Sequence, residues 1–145
     1  MIKLRNFSLA DLEKVTEIEK ASFPDPWSKS YIKKLFEKHP NGFVIAELSQ
    51  KIVGYILGHK KLGGSASIKT IAVNPDYRRK GIGTKLINFI IKRLKKEGAK
   101  EVILHTRTKN QTAHLFHKEL GFKIVGQIEN YYPNGDNAYL MKKGI

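Results

Sequence analysis

The chain has 145 residues, of which 41% are hydrophobic, enough for the core of one domain but leaving no room for a second. It carries a formal net charge of +14 and no cysteine, which excludes disulfide bonds, thiolate metal sites and cysteine nucleophiles. The sequence predicts neither a signal peptide nor a membrane-spanning segment. We therefore expect one cytoplasmic domain covering residues 1–145, whose charge attracts anionic partners or only keeps the protein in solution.

The first half of the chain predicts a strand, two helices and a β-hairpin. Residues 2–7 can form the strand, and Ser8 with an acidic residue three positions later is typical of a helix start. This helix ends near Ser22, because the prolines that follow disfavour helical backbone in the residues before them. Ser28 begins a second helix, and the apolar residues 43–57 then form a hairpin around a polar turn.

The second half of the chain alternates strands with helices. Strands on both sides of a long helix indicate a βαβ unit within a mixed sheet, and hence an α/β fold. The predicted elements are a strand over residues 67–73, a helix from Ile82 to a glycine cap at Gly98, a strand over 101–106, a helix over 110–120, and strands over 122–128 and 138–142.

A basic, glycine-containing segment joins the strand to the long helix and covers residues 71–84. Gly81 and Gly83 let the backbone approach a ligand, while the helix start offers unpaired N–H groups. Three cationic side chains at residues 78–80 add positive charge. The segment therefore suits a pyrophosphate, although a tight turn with solvated charges explains the same residues, and it matches neither the P-loop nor the dinucleotide fingerprint.

The complete segment resembles the acetyl-CoA-binding motif Gln/Arg-x-x-Gly-x-Gly/Ala of the GNAT superfamily of N-acetyltransferases, here Arg78-Arg79-Lys80-Gly81-Ile82-Gly83. Further segments are similar to ribosomal-protein-alanine and N-terminal protein acetyltransferases, and they are Phe23-Pro24, Trp27-Ser28, Asn110, Leu120-Gly121-Phe122 and Asn130-Tyr131-Tyr132-Pro133. The resemblance implies one domain with a mixed, mostly antiparallel sheet of six to seven strands, flanked by about four helices. Its central strands would splay apart where acetyl-CoA binds.

The resemblance also implies which residues hold acetyl-CoA. The backbone of the central strand would bind the pantetheine arm, the loop amides would bind the pyrophosphate, and an asparagine would lie near the thioester. These residues are Ile71, Ala72, Val73, Arg78, Arg79, Lys80, Gly81, Ile82, Gly83, Thr84 and Asn110. Asn110 can also cap the helix that follows it.

Acetyl transfer requires a base for the attacking amine and stabilisation of the departing thiolate. In ribosomal-protein acetyltransferases a glutamate on the strand after the long helix is the base. Here this position is His105, as in some N-terminal acetyltransferases, and its ordinary pKa of ~6.5 suits proton uptake near neutrality. A half-buried strand histidine without a catalytic role is the competing interpretation. These relatives also pair the histidine with a tyrosine on the central strand, where the nearest match is Ser67.

A second departure from the family lies on the next helix. Many relatives carry a tyrosine four residues before the Gly-Phe pair, where it protonates the coenzyme A thiolate, and here this residue is His117. An imidazolium there could donate the proton or hold negative charge on sulfur. A histidine on the helix surface is the other interpretation. His114 and His117 lack an obvious third ligand, so we expect no metal.

Similar enzymes contact a peptide substrate at two loops that are present in this sequence. Phe23 and Pro24 lie between the first two helices, and Tyr131 and Tyr132 lie in the loop before the last strand. Adjacent strand residues point to opposite sides, so one tyrosine can face the cleft while the other packs. Both segments could instead be structural, as a helix terminus and a turn.

The resemblance therefore implies an acetyl-CoA-dependent transferase that acts on the N-terminal amine of a protein or peptide by direct attack. Transfer to lysine or to a small amine on the same scaffold is an alternative. Another is a catalytically weak basic module that binds a ribosome or nucleic acid, which the charge of +14 would favour. A monomer or weak homodimer, with ribosome association through the basic surface, is the expected assembly.

Overall fold

A computed structural model describes all 145 residues of the chain. None of its helices combines the length and the apolarity needed to cross a lipid bilayer. The helices are α1 (Leu12–Ser22), α2 (Lys29–Lys38), α3 (Ile82–Lys96) and α4 (Gln111–Glu119). The strands are β1 (Ile2–Asn6), β2 (Phe43–Leu48), β3 (Lys51–Lys60), β4 (Ser65–Val73), β5 (Glu101–Arg107), β6 (Lys123–Ile128) and β7 (Ala138–Gly144).

All seven strands lie in one sheet, in the order β1-β2-β3-β4-β5-β7-β6. Every neighbouring pair is antiparallel except β4 and β5, which are parallel because α3 connects them. The expected mixed, mostly antiparallel sheet with four helices is thereby confirmed.

The sheet separates two hydrophobic cores, because side chains alternate between its faces. On one face, α3 packs its stripe Ile82, Leu86, Ile90 and Leu94 onto the central strands, and α4 packs beside it. On the other face, α1 and α2 cover a smaller core that includes Tyr55. The face of β5 that carries its odd-numbered residues lies toward α1 and α2, since the alternate residues are buried toward α3.

The parallel strands β4 and β5 separate along their length. They pair only at Ser65, Ala66 and Ser67, opposite residues 101–103. Beyond this point the β4 edge that faces β5 has no strand partner, while β4 stays paired with β3 up to Val73. The predicted splay of the central strands is thus present, and it leaves backbone groups along residues 68–73 without a strand partner. Of these, the Val73 carbonyl accepts a bond of 3.2 Å from Arg78 Nε.

Local details differ from the predicted elements. The first helix begins with a 3₁₀ turn over Leu9–Asp11, since the Asp11 carboxylate accepts a 2.8 Å bond from the Ser8 N–H and two bonds of 2.7–2.8 Å from Arg5. β4 carries a bulge at Lys69, because Leu57 of β3 lies opposite Thr70 while the next residue lies opposite Ile68.

Candidate active site

The loop between β4 and α3 forms an anion-binding backbone. Arg79 and Gly81 both have positive φ angles, of 63° and 78°, which turns the chain sharply into α3. The first amide of α3 bonded to its own helix is that of Lys85, which donates to the Gly81 carbonyl at 3.1 Å. The N–H groups before it therefore lack a partner within the helix, and no side chain caps them. These N–H groups make the loop suitable for the pyrophosphate that its sequence predicts.

Gly83 brings the first turn of α3 against α4. A Cβ atom at this position would lie 3.0 Å from the ring of Phe116, so only glycine permits this approach without rearrangement. Asn110 caps α4, since its side-chain oxygen accepts a bond of 3.1 Å from the Ala113 N–H. Both helices follow the carboxyl ends of the parallel strands β4 and β5, and the start of α3 packs against α4 at Phe116.

His105 lies on β5 two residues beyond its last pairing with β4, on the face toward α1 and α2. Its ring stacks on Tyr131 with centroids 4.4 Å apart and an angle of 10°. Burial lowers the pKa of His105, and the positive charges of Lys61 and Lys69 lower it further. The neutral imidazole that a general base requires is therefore the dominant form at pH 7.

The tyrosine beside His105 comes from a different element than the resemblance suggested. Ser67, the position matched to the tyrosine of the relatives, is buried on β4 opposite Ile103. Tyr131 from the β6–β7 loop takes the place beside the imidazole instead. Burial raises the pKa of Tyr131, so its phenol stays protonated at neutral pH.

His117 lies in the interior, which makes the surface interpretation of this residue wrong. It is 4% exposed and packs against Phe122, with ring centroids 5.8 Å apart. Burial, with a smaller contribution from His114, lowers the pKa of His117 to about 4. The imidazolium considered above is therefore a minor form at pH 7. The ring atom Nδ1 is buried without a hydrogen-bond partner.

Arg107, two residues beyond His105, joins the two predicted substrate loops. Its guanidinium pairs with Asp25 of the α1–α2 loop and with Asp136 of the β6–β7 loop, the latter at 2.7 Å. It also lies over the ring of Tyr132, 3.8 Å from the centroid. Sequence analysis missed this residue. Arg107 is the last residue of a strand whose alternate residues are buried, and an arginine at such a position indicates a paired charge.

Glu19 is a second missed residue, and it fixes the other end of the α1–α2 loop. This buried carboxylate accepts a bond from the Tyr55 hydroxyl and one of 3.1 Å from the Trp27 N–H. Burial raises the pKa of Glu19 above its ordinary value, and nearby Asp25 raises it further. The helix-breaking segment between α1 and α2 is thus attached to the sheet at both ends.

The predicted substrate residues lie on the two loops that Arg107 joins. Phe23 packs partly into the smaller core, while Pro24 is exposed. On the other loop, Tyr131 is 44% exposed beside His105, and Tyr132 is half-buried under Arg107. Arg107 and His105, both on β5, therefore contact the two loops, Arg107 through its ion pairs and His105 through Tyr131.

Comparisons with known proteins agree with this geometry. The model of the Acetyltransferase (GNAT) family matches residues 12–122. An N-alpha-acetyltransferase of Sulfurisphaera tokodaii is 32% identical over 96% of this chain and 90% of its own length. A putative ribosomal protein bS18-alanine N-acetyltransferase of Bacillus subtilis is also 32% identical, over 95% of this chain and 92% of its own.

Two solved structures are similar over nearly the whole chain. Ard1 from Thermoplasma volcanium superposes with a TM-score of 0.96, at 30% identity over 99% of this chain and 97% of its own. Naa50 of Arabidopsis thaliana, in complex with the bisubstrate analogue CoA-Ac-MVNAL, superposes with a TM-score of 0.87, at 27% identity and 99% coverage of both chains. The sequence and the splayed sheet together establish that the chain belongs to the GNAT family of N-acetyltransferases.

Proposed function

We propose that the chain transfers the acetyl group of acetyl-CoA to the N-terminal α-amine of a protein or peptide. The observation that carries the proposal is the position of His105, a half-buried imidazole in its neutral form, which is stacked on Tyr131 of the β6–β7 loop. Relatives named as N-alpha-acetyltransferases support the choice of substrate. We expect the protein to act as a monomer or weak homodimer.

The coenzyme would lie through the splay of β4 and β5. The edge of residues 71–73 that has no strand partner would offer N–H and C=O groups to the pantetheine arm, apart from the Val73 carbonyl, which accepts a bond from Arg78. The amides of residues 79–84 would surround the pyrophosphate, with Arg78 and Lys80 adding charge. Asn110, at the start of α4, would lie beside the arm near the thioester. These groups hold the carbonyl carbon in front of the amine and restrict its orientation.

His105 would take the proton that the attacking amine loses. An α-amine has a pKa of ~8 and is partly neutral at pH 7, whereas a lysine amine at ~10.4 is far less so. A histidine with a lowered pKa is a weak base, which suits the first group better than the second. Tyr132 and Tyr131 offer hydroxyl groups to the backbone of the peptide, and Phe23 and Pro24 would bound the pocket of its first side chain.

His117 is the proposed partner of the departing thiolate, acting in its neutral form. Its ring carries one N–H, which can donate a hydrogen bond to sulfur, but it holds no second proton to give at pH 7. Proton delivery would then fall to water or to the phenol of Tyr131. Direct attack requires no covalent intermediate, in agreement with the absence of cysteine.

The test is thiol release from acetyl-CoA with peptides that begin with Met, Ser or Ala and with an N-blocked lysine peptide, followed by product mass. We expect acetylation of free N-termini only, and a kcat loss of about 10²–10³-fold in His105→Gln. Lys123→Gln, which changes an exposed residue on the edge strand β6, is the control and should retain the parent rate. Transfer to lysine alone would contradict the substrate, and coenzyme binding without any turnover would contradict the activity.

A further inference from the structure

A basic groove opens on the α2 side of the sheet. It has a volume of about 920 Å³ and lies between α2 and the hairpin that joins β3 to β4. None of residues 78–84 lines it, so it is separate from the loop that suits the pyrophosphate. Its cationic side chains are Lys34, Lys38, Lys60, Lys61 and Lys69.

The positive charge of this basic groove is uncompensated. No carboxylate lines it, and none of its five lysines belongs to an ion pair, whereas Lys14, Lys29 and Lys109 elsewhere on the surface are paired. Like charges crowded into a concavity repel one another and attract an anionic ligand. Lys69 belongs to this cluster of lysines, and it lies at the bulge of β4.

The basic groove adjoins the proposed acceptor site. His59 of β3 lies opposite Ser67 of β4, which lies opposite Ile103 of β5, and His105 follows two residues later on the same face. Lys61 and Lys69, which line the groove, lower the pKa of His105. A peptide whose N-terminus lies at His105 can therefore continue into the groove along the face of the sheet.

We propose that the basic groove binds an acidic segment of the acceptor protein, a few residues after its N-terminus. The inference rests on the proposed N-terminal acetylation. Lys34 and Lys38 lie one turn apart on α2, roughly 6 Å along the helix, which is close to the roughly 7 Å between alternate residues of an extended peptide. Acidic residues two positions apart would thus meet both lysines.

The lining favours a peptide over a nucleic acid. Single-stranded RNA is bound by exposed aromatic rings and arginines on which bases stack. The groove contains no arginine, and its two histidines, His39 and His59, stack on each other with centroids 3.9 Å apart. Its one tyrosine, Tyr31, packs edge-on against Trp27, with ring centroids 5.3 Å apart. Carboxylates need only the point charges that lysines supply.

The experiment compares two peptides with the same first two residues, one with Asp or Glu at positions 3–8 and the other with Asn or Gln there. Binding to the CoA-loaded protein is measured by fluorescence anisotropy and KM by acetyl transfer. We expect the acidic peptide to bind about tenfold more tightly, and Lys34→Gln with Lys38→Gln to remove about three- to tenfold of that difference. Lys92→Gln with Lys96→Gln, exposed at the same spacing on α3, is the matched control and should leave the preference intact.

The outcomes separate the two proposals. Acetylation of both peptides with equal Kd and KM would overturn the groove and leave the proposed function standing. Absence of acetylation would contradict the proposed function, while the anisotropy measurement still tests the groove. If both double variants lose the preference for the acidic peptide equally, the preference comes from the general charge of the protein, and the groove is not a specific site. Loss of single-stranded RNA binding in the α2 variant, with peptide binding unchanged, would overturn it as well.

Discussion

His105 owes its proposed role to the charges and the burial around its ring. Burial favours the neutral imidazole, and Lys61 and Lys69 repel the extra proton. We predict a pKa below ~6.5 for His105, measured by NMR titration of the ring protons with His105→Gln used to assign the signal. Lys61→Gln with Lys69→Gln should raise this pKa. A titration at or above 6.5 in the parent protein would contradict the proposed neutral base.

His117 makes the protein sensitive to acid. Its pKa of about 4 in the folded chain lies below the ~6.5 of an unfolded histidine. Between these two pH values His117 is protonated in the unfolded chain but not in the folded chain, so protonation favours unfolding. Stability should therefore fall as the pH drops from 6.5 to 4, by roughly 3 kcal/mol from this residue. Above pH 6.5 the residue adds no pH dependence.

His117→Gln tests this prediction through urea unfolding at pH 7 and pH 4.5. The variant loses packing against Phe122 and should be less stable at pH 7, but the gap to the parent should narrow at pH 4.5. Lys118→Gln, an exposed neighbour on α4, controls for the change of charge. A gap of the same size at both pH values would show that His117 titrates normally.

At the scale of elements, Arg107 determines how the two predicted substrate loops meet. Its side chain is 10% exposed and lies between Asp25 and Asp136. Removing a partner from a buried charge pair costs more than the pair contributes, because an unpaired charge remains. This cost applies to Asp25 in particular, because its Oδ2 atom is buried without a hydrogen-bond partner.

Arg107→Met should therefore destabilise the fold by about 3 kcal/mol and raise KM for a peptide while leaving CoA affinity unchanged. The double variant with Asp25→Asn should recover part of the stability, because the orphaned carboxylate is neutralised. Chemical unfolding, KM for the peptide and CoA titration are the three measurements. A stability loss without any change in KM would restrict Arg107 to a structural role, and failure of Asp25→Asn to rescue would contradict the pairing.

The elements themselves were largely predictable, and their long-range contacts were not. The apolar stripe of α3 has the helical period, so Ile82, Leu86 and Leu94 predicted both the helix and its buried face. The contact between Asp25 and Arg107 joins residues 82 apart in the chain, and no local pattern encodes it. Tyr131 was predicted as a substrate residue, but its contact with His105 was missed for the same reason, because the loop after β6 brings it to β5.

Motif resemblance supplied what periodicity could not. It implied the splay of β4 and β5, and in the structure these two strands pair at three positions only. It also singled out His105 and His117 from the chain's five histidines, although it left open whether His117 lies on the helix surface. Burial depends on tertiary packing, and α4 turns that residue inward against Phe122.

For the whole molecule, the net charge of +14 means that a bound anion should stabilise the folded state. A ligand that binds only the folded state stabilises it by mass action, by about 2.7 kcal/mol at a concentration 100 times its Kd. CoA carries a pyrophosphate that the loop before α3 suits, and Arg79 contributes charge there. Added CoA should raise Tm by roughly 10 °C at low salt, and high salt should reduce the increase.

Arg79→Gly separates the charge of this loop from its shape. Glycine accepts the φ of 63° without strain, so the variant without CoA should be at least as stable as the parent. Loss of the guanidinium should weaken CoA binding about tenfold, which removes about 1.4 kcal/mol of the stabilisation at a fixed CoA concentration. Scanning calorimetry with and without CoA measures both effects, with Lys96→Gln as a charge-matched control at the far end of α3. If Arg79→Gly and Lys96→Gln give equal increases in Tm, the side chain of Arg79 has no part in binding the coenzyme and the backbone amides act alone.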